Sequence, residues 1–161
     1  MAHSIIEILL KEKTNQIYEE MVVGTLEVLL VGAKGLEDTD FFSNMDAYAI
    51  LICRTQEQRS SIASGQGSNP EWNETFMFTL SDHVSELTIK LMDSDTFSSD
   101  DFVGKAKIPL EPLFIERILR PTVYNVVKDQ EYRGEIKVGL TFTPTCEEYS
   151  DESYGGRKES E

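Results

Sequence analysis

The chain has 161 residues, 29 of them acidic and 15 basic, which gives a formal net charge of −14 and a sequence pI of about 4.5. This length is enough for one domain with a single buried core. The acidic charge argues against DNA or RNA binding, which depends on neutralised phosphates, and against constitutive attraction to an anionic bilayer.

Residues 1–23 are predicted to form an N-terminal arm. Apolar residues such as Ile5, Leu9 and Ile17 recur at spacings near four, which predicts a weakly amphipathic helix over residues 3–20. We favour an arm that packs on its own domain or is frayed over one that lies on a membrane or contacts a partner. The arm lacks a basic segment followed by a continuous apolar stretch, so we expect no secretory signal.

From Gly24 onward the apolar residues alternate with a period of two, which indicates β-strands. Short strands joined by Gly, Pro, Asn, Asp and Ser predict an all-β, eight-stranded antiparallel Greek-key β-sandwich over residues 24–144. A helical excursion is predicted at Leu110–Leu119, and the strand at 59–63 is predicted to be a short polar edge. The predicted strands are 25–32, 47–53, 59–63, 75–80, 86–92, 102–109, 123–127 and 134–142.

The composition of the C-terminal segment and the cysteine content complete the outline of the chain. Residues 145–161 are rich in Glu, Ser, Gly and Asp and are predicted to be a disordered acidic tail. Cys53 and Cys146 form no disulfide framework, which favours a reducing, cytoplasmic compartment. We expect a monomer.

Two loops concentrate carboxylates. The stretch 91–104 contains Asp93, Asp95, Asp100 and Asp101, and the stretch 36–48 contains Asp40 and Asp46. Two carboxylates about 4 Å apart repel by about 4 kcal/mol at an effective dielectric near 20. Such loops are unfavourable unless they are splayed into water or hold a cation. If they lie side by side, five of these carboxylates meet at one point and suit a hard divalent ion such as Ca²⁺, while a solvated acidic turn is the alternative.

Other motifs argue against an EF-hand and against catalysis. Gly104 stands where an EF-hand needs a bidentate glutamate, and the loop joins strands rather than helices. His3 and His83 have no partner at metal-ligand spacing, and Gly65-x-Gly67 lacks the rest of a dinucleotide-binding motif. We therefore expect that the protein is not an enzyme.

Four motifs occur in a fixed order: Gly-Thr-Leu-Glu-Val from residue 24, Asp40-x5-Asp46-x-Tyr48, Asn-Pro-Glu-Trp-Asn-Glu over 69–74, and Asp93-x-Asp95-x5-Asp101-Phe-x-Gly104. Together they resemble a C2 domain over residues 24–144. Within that family the chain is similar to the small single-C2 proteins of plants, described as elicitor-responsive or phloem-type proteins. A glycine-led strand from Gly134, with no counterpart before Gly24, favours the circularly permuted type II topology.

The resemblance implies a calcium site and its ligands. Asp100 lies outside the family pattern and is expected to face solvent. Ala47 replaces the proline that usually follows the second aspartate, which loosens the backbone beside a ligand. The stretch 36–48 corresponds to the first loop of the family and the stretch 91–104 to the third. The implied ligands are Asp40 and Asp46 from the first loop, Asp93, Asp95 and Asp101 from the third, the Ser94 backbone carbonyl, and Ser98 as a further candidate.

The resemblance also implies a function. We expect calcium-dependent binding to anionic phospholipid by a peripheral signalling or defence-related protein that is cytoplasmic and moves to the plasma membrane when calcium rises. Phe41 and Phe97 match the positions that insert into membranes in this family, whereas Phe42 is expected to turn into the core. The alternative is a calcium-independent module that binds a protein or RNA. Arg54 and Arg59 are interpreted as a solvated edge rather than a second lipid site.

Overall fold

The computed structural model describes residues 2–21, 23–37, 44–81 and 84–145. Within these ranges it has two helices and eight strands, and neither helix is long and apolar enough to cross a membrane. Asp40, Phe41, Phe42, His83 and residues 146–161 of the predicted tail lie outside the described residues. The elements are α1 Ala2–Met21, β1 Gly24–Lys34, β2 Ala47–Cys53, β3 Gln56–Arg59, β4 Glu71–Leu80, β5 Glu86–Asp93, β6 Asp101–Pro109, α2 Glu111–Glu116, β7 Ile118–Lys128 and β8 Glu131–Pro144.

The strands form a nearly closed antiparallel β-sandwich, which confirms the predicted fold class. Their hydrogen-bonded order is β3-β2-β5-β6-β7-β8-β1-β4. Among the described residues β6 and β7 pair at Lys105 and Val127 alone, so this junction separates the two four-stranded layers. The last strand, β8, pairs along the first strand, β1, from Gly24↔Pro144 to Lys34↔Glu135. The glycine-led C-terminal strand thus lies beside β1, as a type II topology requires.

The core lies between the two layers because alternate residues of most strands point inward, β3 and most of β7 excepted. In β2 the side chains of Ala47, Ala49, Leu51 and Cys53 are 0–1% exposed. Phe78 of β4 belongs to the same core cluster and is one of the largest fully buried side chains. Burying a side chain of that size contributes about 1.5–3 kcal/mol, so the alternating pattern read from the sequence is also the main source of stability.

Two glutamines connect the edge strands β3 and β4. The side-chain amide of Gln56 donates to the Thr79 carbonyl, and the Thr79 N–H donates to Gln56 Oε1 at 3.1 Å. Gln58 Nε2 donates to the Met77 carbonyl at 2.5 Å. These bonds satisfy backbone groups that an open sheet edge would leave available to other chains.

Strand β3 lies at Gln56–Arg59, so the prediction of a strand over 59–63 was wrong. Arg54 adopts a φ of 53° and starts a tight turn, so that β3 pairs with β2 from Gln56 onward. The strand ends at Arg59, and the hydroxyl of the next residue, Ser60, accepts the Ala49 N–H at 2.7 Å.

The helical segment after β6 is shorter than predicted, whereas the arm forms a helix as predicted. Helix α2 ends at Glu116 because Arg117 adopts a φ of 68°, and β7 begins at Ile118, earlier than the predicted residue 123. Helix α1 forms where it was predicted. Its side chains from residue 3 to 14 are exposed, including Ile5 at 61% and Leu10 at 58%, so this part of the arm does not pack on the domain.

Candidate functional site

The strand register brings three predicted ligands to one end of the sandwich. Asp46 immediately precedes β2, whose first residue, Ala47, pairs with Asp93 at the end of β5. Asp93 in turn pairs with Asp101 at the start of β6. Because adjacent strands are about 4.8 Å apart, the ends of the first and third loops lie side by side at this edge.

Backbone amides orient two of these carboxylates. The Asp46 N–H donates to Asp93 Oδ1 at 2.9 Å, and the Gly65 N–H donates to Asp46 Oδ1 at 2.6 Å. The Ser94 N–H donates to the Asp46 carbonyl at 2.9 Å. Gly65 has a φ of 71°, a conformation that favours glycine. The loop before β2, the loop after β3 and the loop after β5 are therefore linked through Asp46 and its neighbours.

Asp95 organises the tip of the third loop. Its Oδ1 accepts the Phe97 N–H at 3.0 Å and its Oδ2 accepts the Ser98 hydroxyl at 2.7 Å. The bond from Ser98, followed by that from Phe97, holds the pKa of Asp95 below its usual range, so the group is ionised at neutral pH. Two candidate ligands, Asp95 and Ser98, are thus in direct contact, and the turn leaves the Phe97 side chain 98% exposed.

Asp100 does not face solvent freely, so that expectation was wrong. Its side chain is 27% exposed; Oδ2 accepts the Tyr48 hydroxyl and Oδ1 accepts the Asp95 N–H at 3.1 Å. Arg59 Nη2 lies 3.8 Å from Oδ2. The Tyr48 hydrogen bond is the main cause that lowers the pKa of Asp100, with smaller contributions from the Asp95 amide and Arg59. The carboxylate is therefore held between the loop and strands β2 and β3.

Comparison with known proteins identifies the family of this domain. The sequence model of the C2 domain family matches residues 24–138 of this chain. The chain belongs to the C2 domain family. This confirms the resemblance inferred from the four sequence motifs.

The similar proteins include small plant C2 proteins, as predicted. The C2 chain is 64% identical over 143 residues to elicitor-responsive protein 3 of Oryza sativa subsp. japonica, covering 87% of this chain and 99% of that protein. It is 57% identical over 141 residues to 16 kDa phloem protein 2 of Arabidopsis thaliana, covering 86% of this chain and 96% of that protein.

Solved structures agree with this assignment. A C2 domain-containing protein is 59% identical, with a TM-score of 0.68 over 76% of this chain and 90% of that chain. The C2A and C2B domains of Extended-Synaptotagmin 2, described as calcium bound, are 26% identical, with a TM-score of 0.66 over 75% of this chain and 46% of that chain.

The donors at the loop end of this C2 domain fit a calcium ion by their chemistry. Carboxylates, the Ser98 hydroxyl and the Ser94 carbonyl are hard oxygen donors, which suit Ca²⁺ rather than zinc. Within the described ranges, however, no three His, Cys, Asp or Glu side chains lie close enough together to hold a metal ion. Asp95 points to Ser98 in this structure, and Asp40 lies outside the described residues. The calcium site therefore stays a prediction.

The outer face of the C2 sandwich carries a row of basic residues that was not predicted from the sequence. Lys90 of β5 lies directly opposite Lys105 of β6, and Ile50 of β2 pairs with both Lys90 and Arg59. Lys107 is exposed two residues further along β6. The alternation of lysine with buried residues in β5 and β6 could have indicated this row, but its members are far apart in sequence. Like charges directly opposite each other on a sheet are destabilising, so this basic face needs an anionic neighbour or water.

Proposed function

We propose that this C2 domain binds anionic phospholipid in a calcium-dependent manner through the loop end of its sandwich. One observation carries the proposal: the register that brings Asp46, Asp93 and Asp101 to the same edge. Asp40 and Asp95 would complete the five carboxylates, with the Ser94 carbonyl and Ser98 as further donors. The solved relative described as calcium bound supports this interpretation.

Charge explains why calcium would act as a switch. Five carboxylates carry about −5, so the loop end of a chain with a net charge of −14 repels an anionic bilayer. When bound, calcium supplies compensating positive charge and coordination positions for phosphate oxygens. The amides of Asp46 and Gly65 already orient two of the carboxylates, which lowers the ordering cost of binding.

Phe97 supplies an apolar contact next to the candidate ligands. It is 98% exposed in a loop whose backbone is held by Asp95. A fully exposed aromatic ring has no stabilising role in the domain itself, and burial in lipid would contribute about 1.5–3 kcal/mol. Phe41 is proposed as a second membrane contact. In this proposal the protein is cytoplasmic, has no enzymatic activity, and reaches the plasma membrane when calcium rises.

Sedimentation with vesicles tests the proposal. We expect the wild type to sediment with phosphatidylserine-containing vesicles in calcium, and to stay in solution with chelator or with pure phosphatidylcholine. Asp93→Asn keeps an acceptor for the Asp46 N–H but loses one charge, and should weaken sedimentation. Glu86→Gln is the matched control, because Glu86 is an exposed acid at the start of β5, the opposite end of that strand from Asp93. Equal behaviour of the two variants, or sedimentation in chelator, would contradict the proposal.

The row of basic residues favours a second candidate function. Lys90, Lys105 and Arg59 give one face of an acidic protein a local positive charge, which suits an acidic protein partner without calcium. The chain would then be a calcium-independent interaction module, and RNA binding would be the less favoured version because of the net charge. Binding of a partner that persists in chelator and is lost in Lys90→Ala/Lys105→Ala would support this function.

A further inference from the structure

The side chain of Asp100 bridges its own loop. Its Oδ1 accepts the N–H of Asp95, five residues earlier, at 3.1 Å. Asp95 then accepts the Phe97 N–H and the Ser98 hydroxyl. The conformation of the loop tip therefore depends on a chain of hydrogen bonds that begins at Asp100.

The other end of this chain of hydrogen bonds is attached to a rigid strand. Tyr48 lies on β2 between the buried residues Ala47 and Ala49, is itself 3% exposed, and donates its hydroxyl to Asp100 Oδ2. Strand β2 pairs with both β3 and β5, so Tyr48 provides a fixed point for the loop.

Arg59 covers this attachment from the edge strand. Its guanidinium carbon lies 3.8 Å from the centre of the Tyr48 ring, and its Nη2 lies 3.8 Å from Asp100 Oδ2. A cation in that position attracts both the ring and the carboxylate. Arg59 thus balances the charge of Asp100 and keeps the tyrosine and the aspartate together.

We propose that Asp100 is a positioning residue, which with Tyr48 and Arg59 fixes the third loop so that Asp95 and Phe97 are presented at the candidate calcium site. Both of its carboxylate oxygens are engaged within the protein, so its role is to hold the backbone of a ligand rather than to bind the ion. The link to calcium rests on the proposed function. The fixing of the loop does not, because it concerns the calcium-free protein.

Tyr48→Phe is the first test, because it removes one hydroxyl and changes no charge. We expect the amides of Asp95 and Phe97 to lose order in NMR relaxation measurements on the calcium-free protein, while amides in β1 and β8 are unchanged. Calcium affinity measured by calorimetry should fall about 10-fold, the size expected for one hydrogen bond to a charged group. A role limited to overall stability would leave the amides of Asp95 and Phe97 as ordered as the rest of the folded domain.

Arg59→Gln separates positioning from simple charge. Removing a cation near the loops makes them more negative and, by charge alone, tightens calcium binding. Positioning predicts the opposite sign, weaker binding together with loss of order at Asp95. Arg54→Gln is the matched control, since Arg54 carries the same charge at the other end of β3 and donates to the Ser81 carbonyl at 3.2 Å.

Two results would overturn the positioning role: an unchanged Asp95 amide in Tyr48→Phe, or calcium binding in Arg59→Gln that is as tight as in Arg54→Gln. If the wild type binds no calcium, the proposed function and the calcium part of this inference both fail. Loss of order at Asp95 in Tyr48→Phe would in that case still support the fixing of the loop by Asp100.

Discussion

Replacing Phe97 by alanine tests whether the exposed loop tip enters a membrane. The ring is 98% exposed in the folded protein, so nearly its whole apolar surface is available for burial in lipid. Full burial is worth about 1.5–3 kcal/mol, and about 1.4 kcal/mol corresponds to a factor of ten in affinity. We therefore expect Phe97→Ala to weaken vesicle binding in calcium about 10- to 100-fold.

The same change should leave the rest of the domain intact. The N–H of residue 97 can still donate to Asp95 Oδ1, because that bond at 3.0 Å involves the backbone. A surface substitution of this kind usually changes the free energy of unfolding by no more than about 0.5 kcal/mol. Calcium affinity in the absence of lipid should therefore stay close to that of the wild type.

The assay is a vesicle titration at saturating calcium, paired with calorimetry without lipid. Ile118→Ala is the control, because Ile118 is also exposed, at 62%, but lies far from the candidate site. The site end of β7 is marked by Lys128, whose Nζ donates to the Phe102 carbonyl beside Asp101, and Ile118 is at the other end of that strand. Loss of the Ile118 side chain should not affect vesicle binding. If Phe97→Ala and Ile118→Ala behave alike, or if calcium affinity falls as much as vesicle binding, insertion of Phe97 is refuted.

Three further predictions concern the domain in solution. Calcium at 100 times its dissociation constant should stabilise the fold by about 2.7 kcal/mol, measured as a rise in melting temperature that Asp93→Asn reduces. Gln56→Ala removes two hydrogen bonds to Thr79 and should cost about 1–3 kcal/mol, with faster hydrogen exchange at the Thr79 amide. Burial raises the pKa of Cys53 to about 11, so alkylation of the folded Cys146→Ser protein at pH 8 should be slow and become fast in urea. Because the folded pKa lies above the ordinary value, the associated stability is present below about pH 9 and is lost as the pH rises towards 11.

The fold was largely predictable because burial leaves a periodic pattern in the sequence. In β5 the buried Leu87, Ile89 and Leu91 alternate with less buried residues, and this period identifies the strand and its inward face. Strand β3 has no such pattern, since Gln56 and Gln58 bond to the backbone of β4 instead of entering the core. Its position depends on contacts between segments that are distant in sequence, so the periodicity gave the wrong range.

The acidic positions of the candidate site were predictable because each of the two loops carries its acids at a recognisable spacing. Asp93, Asp95 and Asp101 belong to one loop, and their spacing is visible without a structure. The role of Asp100 depends on Tyr48 and Arg59, which belong to two other strands and meet it only through the strand register. The sequence could therefore separate Asp100 from the candidate ligands but could not show which residues its carboxylate contacts.

The net charge of −14 does not exclude every anionic binding partner, because binding depends on where the charges lie. Charges further apart than about 8 Å are largely screened at physiological ionic strength. A molecule at the outer face would respond mainly to Lys90, Lys105 and Arg59, which form one row across the strands. The repulsion of anionic surfaces inferred from composition thus applies to the acidic loops and not to this face. Any vesicle binding that remains in chelator should accordingly weaken with added salt and with Lys90→Ala/Lys105→Ala, while remaining unchanged in Phe97→Ala.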